Sequence, residues 1–184
     1  MRSTFLALAL AFVASANAAS FNKRTVSSSV QNCIKGLTAA QSQISAVASA
    51  VNGFTSSSGY SGALAIHTKE QALESLVKTA NTNCCAMTNV VNEEEANAVI
   101  NVVKTLIPDI QDALNTIVSK KDQFEDVALA TTIVKTDIKN LETKVNALDK
   151  CILAVTPSDF TSVANVYIGQ VNNAFAGAKS AYGI

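Results

Sequence analysis

Residues 124–155 carry one apolar stripe that constrains everything else in the chain. Val127, Thr131, Val134, Ile138, Leu141, Val145, Leu148, Ile152 and Val155 follow one another in steps of four and three. That spacing keeps side chains on one face of an α-helix. Lys135, Lys139, Glu142 and Lys144 fall off the stripe, on the side left to water. The spacing predicts a single helix of about eight turns, and a helix that long needs similar helices beside it to bury its stripe.

The chain supplies such helices on both sides. Val30, Cys33, Ile34, Leu37, Ile44, Val47, Ala48 and Val51 repeat the same rhythm despite Gly36, predicting a helix that ends near residue 51. Residues 52–62 hold three glycines and four serines and read as a flexible connection. No Gly-Lys-Ser/Thr follows them, so they are not a phosphate loop. A second helix is expected over 63–91, with Leu64, Leu73, Leu76, Val77, Ala80, Cys84 and Met87 on one side. Asn92 followed by Glu93, Glu94 and Glu95 is a helix start with a capping box and a solvated acidic first turn. The third helix carries Val99, Ile100, Val103, Leu106, Ile107, Ile110, Leu114 and Ile117 in unbroken phase across Pro108, which predicts a kinked helix. Thr156-Pro157-Ser158 ends the long helix. Ser158 is placed to cap a fifth one, with Val163, Val166, Tyr167, Val171 and Phe175 on one face. No segment reads as a strand. The expected fold is all-α, an antiparallel bundle of four to five helices.

The N-terminus reads as an export signal. Arg2 precedes an apolar run ending near Ala14, and Ala16-Asn17-Ala18 supplies a small-residue cleavage site, so residues 1–18 form a secretory signal peptide. Residues 19–24 form a short propeptide ending in the dibasic processing site Lys23-Arg24, leaving a mature domain at 25–184. Removing Arg2, Lys23 and Arg24 leaves eleven basic against fourteen acidic residues, a net charge of −3. A mildly acidic domain has no electrostatic footprint for nucleic acid. No later segment is apolar for long enough to cross a membrane. The expected protein is secreted and extracellular, without a transmembrane anchor.

Four cysteines, Cys33, Cys84, Cys85 and Cys151, suit two disulfides in an exported chain. A bond between the neighbours Cys84 and Cys85 closes a strained ring. One of the two therefore reaches Cys33 and the other Cys151, in either pairing. Zinc is a poor alternative for these cysteines, because His67 is the only histidine and the spacing fits no zinc motif. Neither a cofactor nor a metal is expected.

Catalytic constellations are equally thin. One histidine excludes a di-iron bundle with two Glu-x-x-His motifs. His67 sits near a helix start, outside any nucleophile elbow, and reads as an exposed or capping residue. Apolar surface is what the chain has in surplus. Val99, Ile100, Val102, Val103, Leu106, Ile107 and Ile110 cover an arc of about 160° on a helical wheel. Leu129 and Ile133 lie one turn apart, well off the stripe of the long helix. Such widening means a thicker core, an internal cavity or an exposed apolar face. Val102, Leu106, Leu129, Ile133 and Phe175 are the candidate lipid or surface contacts.

The leader, the dibasic site, the helical domain and the order Cys33, Cys84-Cys85, Cys151 resemble the fungal hydrophobic surface-binding proteins and the related cell-wall galactomannoproteins. The resemblance implies a helical bundle that adsorbs to hydrophobic surfaces and helps recruit a secreted lipase, esterase or cutinase. It also implies fatty-acid binding in an internal cavity, as in some wall-associated relatives. The chain lacks a Ser/Thr-rich stalk and any Asn-x-Ser/Thr sequon, which favours a soluble form at most loosely held by the cell wall. The expected function is non-enzymatic binding of hydrophobic surfaces or lipids such as fatty acids. The alternatives are a helical-bundle inhibitor of an extracellular hydrolase and a structural wall mannoprotein.

Overall fold

The computed structural model describes residues 26–184, so the expected signal peptide and the Lys23-Arg24 site lie outside the described residues. Helices follow one another along the chain: α1 (Ser28–Asn52), α2 (Gly59–Cys85), α3 (Glu93–Ser119), a short α4 (Lys121–Glu125), α5 (Ala130–Ala154) and α6 (Ser158–Tyr182). No strand occurs among the described residues. The start of α3 follows its sequence: the Asn92 side chain accepts from the Glu95 N–H, and the Glu95 carboxylate accepts from the Asn92 N–H. Pro108 lies inside α3 without ending it.

Four expectations need correction. The stripe from residue 124 is not one helix. It breaks between α4 and α5, where Leu129 takes a left-handed conformation at φ 67°. The phase survives because Phe124 and Val127 stay buried up to the turn and Ala130 and Val134 beyond it. Residues 52–62 are not a flexible connection. Phe54 is buried and stacks on Phe124 with ring centroids 4.3 Å apart, and the Lys120 ammonium donates to the Phe54 carbonyl at 3.1 Å. An aromatic anchor between glycines and serines fixes this segment, a 3-10 turn spans Ser56–Ser58, and α2 begins at Gly59 instead of residue 63. At its other end α2 stops at Cys85, short of residue 91. Finally, Pro157 holds the position before α6 and Ser158 is the first helical residue, with no side-chain cap.

Consecutive long helices reverse direction, but their packing order differs from their chain order. α1 packs against α2 and α3, α2 against α5, α3 against α6, and α5 against α6, closing a ring of five long helices. Within the ring α1 and α3 run parallel, since residue pairs 27/95 and 41/109 bond at a constant offset. α2 and α5 do likewise through His67–Asp137 and Glu74–Lys144. Five rods about 9.5 Å apart leave an axial gap of about 6 Å between their surfaces. The wide apolar arc of α3 follows from this ring: its flanks meet α1 and α6, and the sector between them faces the gap.

Two disulfides hold the ring. Cys33–Cys84 joins α1 to α2 and Cys85–Cys151 joins α2 to α5. At the first of these the helices approach backbone to backbone. A Cβ added at Gly36 would lie 2.8 Å from the Ala80 Cα, so only glycine fits there.

Candidate functional site

The axial gap is a cavity of about 130 Å³. Every long helix contributes to its wall: Ile44 from α1, Leu73 from α2, Leu106 and Ile110 from α3, Ile138 and Val145 from α5, Phe175 from α6. A second void of about 60 Å³ continues beyond it among Met87, Val99, Tyr167 and Ile168. Val103, Asp149, Ile152 and Val171 line both spaces and form the partition between them. Together they make one apolar axis through the bundle. The larger space is comparable to dry engineered cavities of about 150 Å³ that admit benzene.

Among the residues lining the larger cavity only Glu70, Asp137 and Asp149 are polar, and all three are acids. Glu70 follows Ile66 by four and precedes Leu73 by three, in the apolar register of α2, so the helix turns it inward. It is 5% exposed, and neither carboxylate oxygen has a hydrogen-bond partner. Burial first, then the charges of Asp137 and Glu74, push its carboxyl up to about 9. Asp137 accepts from or donates to His67 Nδ1 at 2.8 Å, according to the tautomer. Burial raises its pKa, and the imidazole opposes that rise. Asp149 is pushed up to about 6 by burial alone, and its Oδ2 is buried without a partner. Nearby, Glu74 and Lys144 pair at 2.6 Å.

His67 is thus half-buried against α5, a correction to its reading as an exposed or capping residue. Its donor atoms and those of Glu70 and Asp137 lie within 4.8 Å of one another, the one group among the described residues with the chemistry to hold a metal ion.

The five contact residues chosen from the sequence occupy different places. Leu106 and Phe175 are buried in the cavity wall. Val102 is half-buried against the core and lines neither void. Ile133 is half-buried and Leu129 is 67% exposed, both at the start of α5. Tyr60 and Leu64, 45% and 38% exposed, stand on the neighbouring start of α2, which the pairing of His67 with Asp137 sets alongside α5. The acids were missed by sequence reasoning. Their signal was a carboxylate in apolar phase: Ile66, Glu70, Leu73 and again Val145, Asp149, Ile152.

No helix among the described residues is long and apolar enough to cross a membrane. The bundle is similar to solved structures of fungal proteins. AfMP4p in complex with palmitic acid gives a TM-score of 0.78 at 24% identity, over 83% of this chain and 99% of that one. Ligand binding domain 2 of the Penicillium marneffei MP1 protein, complexed with multiple arachidonic acids, gives 0.73 at 14% identity, over 84% and 94%. Domain 1 of the same protein, complexed with arachidonic acids, gives 0.66 at 16% identity, over 85% and 95%. No curated protein matches the sequence. The profile of hydrophobic surface binding protein A matches residues 30–154, most of the described helices, and the chain belongs to that family.

Proposed function

We propose that this chain is an exported, non-enzymatic lipid binder that takes the acyl chain of a fatty acid into the axial cavity. The observation that carries this reading is the cavity: an apolar space lined by all five long helices and continued by a second void. Palmitic and arachidonic acids in the structural neighbours support it. A space of about 130 Å³ holds only part of a long acyl chain. Loading therefore requires the partition side chains, chiefly Val103, Ile152 and Val171, to move apart. α5 and α6 touch more sparsely than α1 and α2, so their seam is where the ring opens at least expense. Burial of the chain at about 25 cal/mol per Å² drives the exchange.

A second activity, adsorption to hydrophobic surfaces, is favoured by the exposed Leu129, Tyr60 and Leu64 at one end of the α2/α5 pair. Recruitment of a lipase, esterase or cutinase belongs with that activity. Export follows from the expected signal peptide at 1–18 and processing after Lys23-Arg24, and the disulfides suit an oxidising compartment.

Extraction of the purified mature protein followed by mass spectrometry tests the lipid reading. Stoichiometric fatty acid, or its uptake after delipidation, is the expected result. A protein that takes up no fatty acid from micelles or vesicles sinks it. Depletion onto polystyrene beads measures adsorption separately.

A further inference from the structure

We propose that His67, Glu70 and Asp137 bind a divalent transition-metal ion of the zinc type at the wall of the cavity. His67 and Glu70 lie three residues apart on α2, hence on one face, and α5 sets Asp137 opposite them. One imidazole nitrogen and two carboxylate oxygens converge within 4.8 Å. Imidazole with carboxylates suits zinc and its neighbours, whereas magnesium and calcium prefer all-oxygen shells. Once Glu70 gives up its proton to solvent on binding, two carboxylates also match a charge of +2.

Apart from the His67 imidazole, which pairs with Asp137 at 2.8 Å, the cluster lacks a counter-ion of its own. No lysine or arginine lines the cavity, and Lys144, the near cation, is already held by Glu74 at 2.6 Å. Glu70 is the independent sign of a missing partner, since it is 5% exposed with both oxygens unbonded while aimed at the other two ligands. Ligand bonds of about 2.0–2.2 Å set donor atoms about 3.4 Å apart in a tetrahedral site. The Glu70 oxygen must draw in, and the 2.8 Å contact between His67 and Asp137 must open slightly. Side-chain rotation supplies both movements. The His67 side chain is 28% exposed, which gives an ion an entry path from the surface. The fourth coordination position stays open.

Calorimetric titration of the delipidated mature protein with Zn²⁺ tests the site, with Co²⁺ as an optical probe of tetrahedral geometry. The expected result is one ion per chain, with affinity weakened at least about tenfold by each of Glu70→Gln, Asp137→Asn and His67→Gln. Zinc should also raise the melting temperature of the wild type and leave that of Glu70→Gln unchanged. Circular dichroism checks that each variant is folded. The proposal is overturned by absence of stoichiometric uptake, or by uptake that depends on His67 and survives both carboxylate changes. Lipid capture measured in EDTA reads out the cavity without the ion, so the two ideas fail separately.

Discussion

Two glutamates buried in the same bundle have opposite surroundings. Glu95, 8% exposed, accepts from the Ser27 N–H at 2.9 Å and from the Asn92 N–H at 3.2 Å. The Ser27 side chain foremost, with these two N–H groups, holds its carboxyl below the ordinary range against the opposing effect of burial. Glu70 is 5% exposed, accepts no N–H or O–H as Glu95 does, and is pushed up to about 9 chiefly by burial, with the acids Asp137 and Glu74 beside it. The first ties together the starts of α1 and α3. The second faces a void. Burial between packed helices and burial beside empty space are thus different environments, and the same contrast separates the tight packing of α1 on α2 and α3 from the loose interior toward α5 and α6.

The largest test of that contrast is the Cys33–Cys84 bond, whose sulfurs belong to fully buried residues. Replacing both cysteines by alanine should cost about 4 kcal/mol, from the loop it closes alone, read as a fall in the urea midpoint. Next comes a pair of enlargements. Gly36→Val drives side-chain atoms into the Ala80 backbone and should cost about 3 kcal/mol. Val103→Phe points into the partition between the voids and should cost less than about 1 kcal/mol. It should also reduce fatty-acid uptake about tenfold. Equal losses of stability from the two enlargements would erase the distinction between seam and void.

Acid titration separates the regions by sign. Asp149 is raised to about 6 from 3.8 in the folded state. Below pH 4 it is neutral in both states. Between pH 4 and 6 the unfolded chain ionises first, so stability falls as pH rises. Relative to Asp149→Asn, the wild type should lose on the order of 1–2 kcal/mol across that window. Glu95, with its lowered pKa, contributes in the other direction: its stabilisation is present above the unfolded value and lost on acidification. Parallel pH profiles for wild type and Asp149→Asn in chemical denaturation would show that Asp149 is well solvated.

The elements were readable because their signals are local. The stripe through Val134, Ile138 and Leu148, the capping box at Asn92 and the continuity across Pro108 need no knowledge of neighbours. The ring order was not readable, since a stripe says that a helix is covered and not by which partner. That is why the arc around Leu106 predicted surplus apolar surface without distinguishing a cavity from a patch. Phe54 was hidden by its surroundings of glycine and serine, and its partner Phe124 lies 70 residues away in sequence. Glu70 and Asp149 were overlooked because charge was read as exposure, although their phase is that of the core. Helix spacing is the stronger signal where the two disagree.

Leu129 gives the smallest effect and the finest cut between interior and surface. Nothing in Glu125-Asp126-Val127-Ala128-Leu129 is a glycine or proline, so the break falls on a residue poorly suited to positive φ. An L-residue in that region is strained by about 1 kcal/mol, and asparagine tolerates it better. With 67% of Leu129 already in solvent, Leu129→Asn forfeits little burial. It should raise stability by about 0.5 kcal/mol, or roughly 1–2 °C in melting temperature for a domain this size. The same change should weaken adsorption to polystyrene and leave fatty-acid uptake untouched, because Leu129 lines neither void. If uptake falls together with adsorption, the surface near Leu129 is the mouth of the cavity, and the interior and exterior are one site.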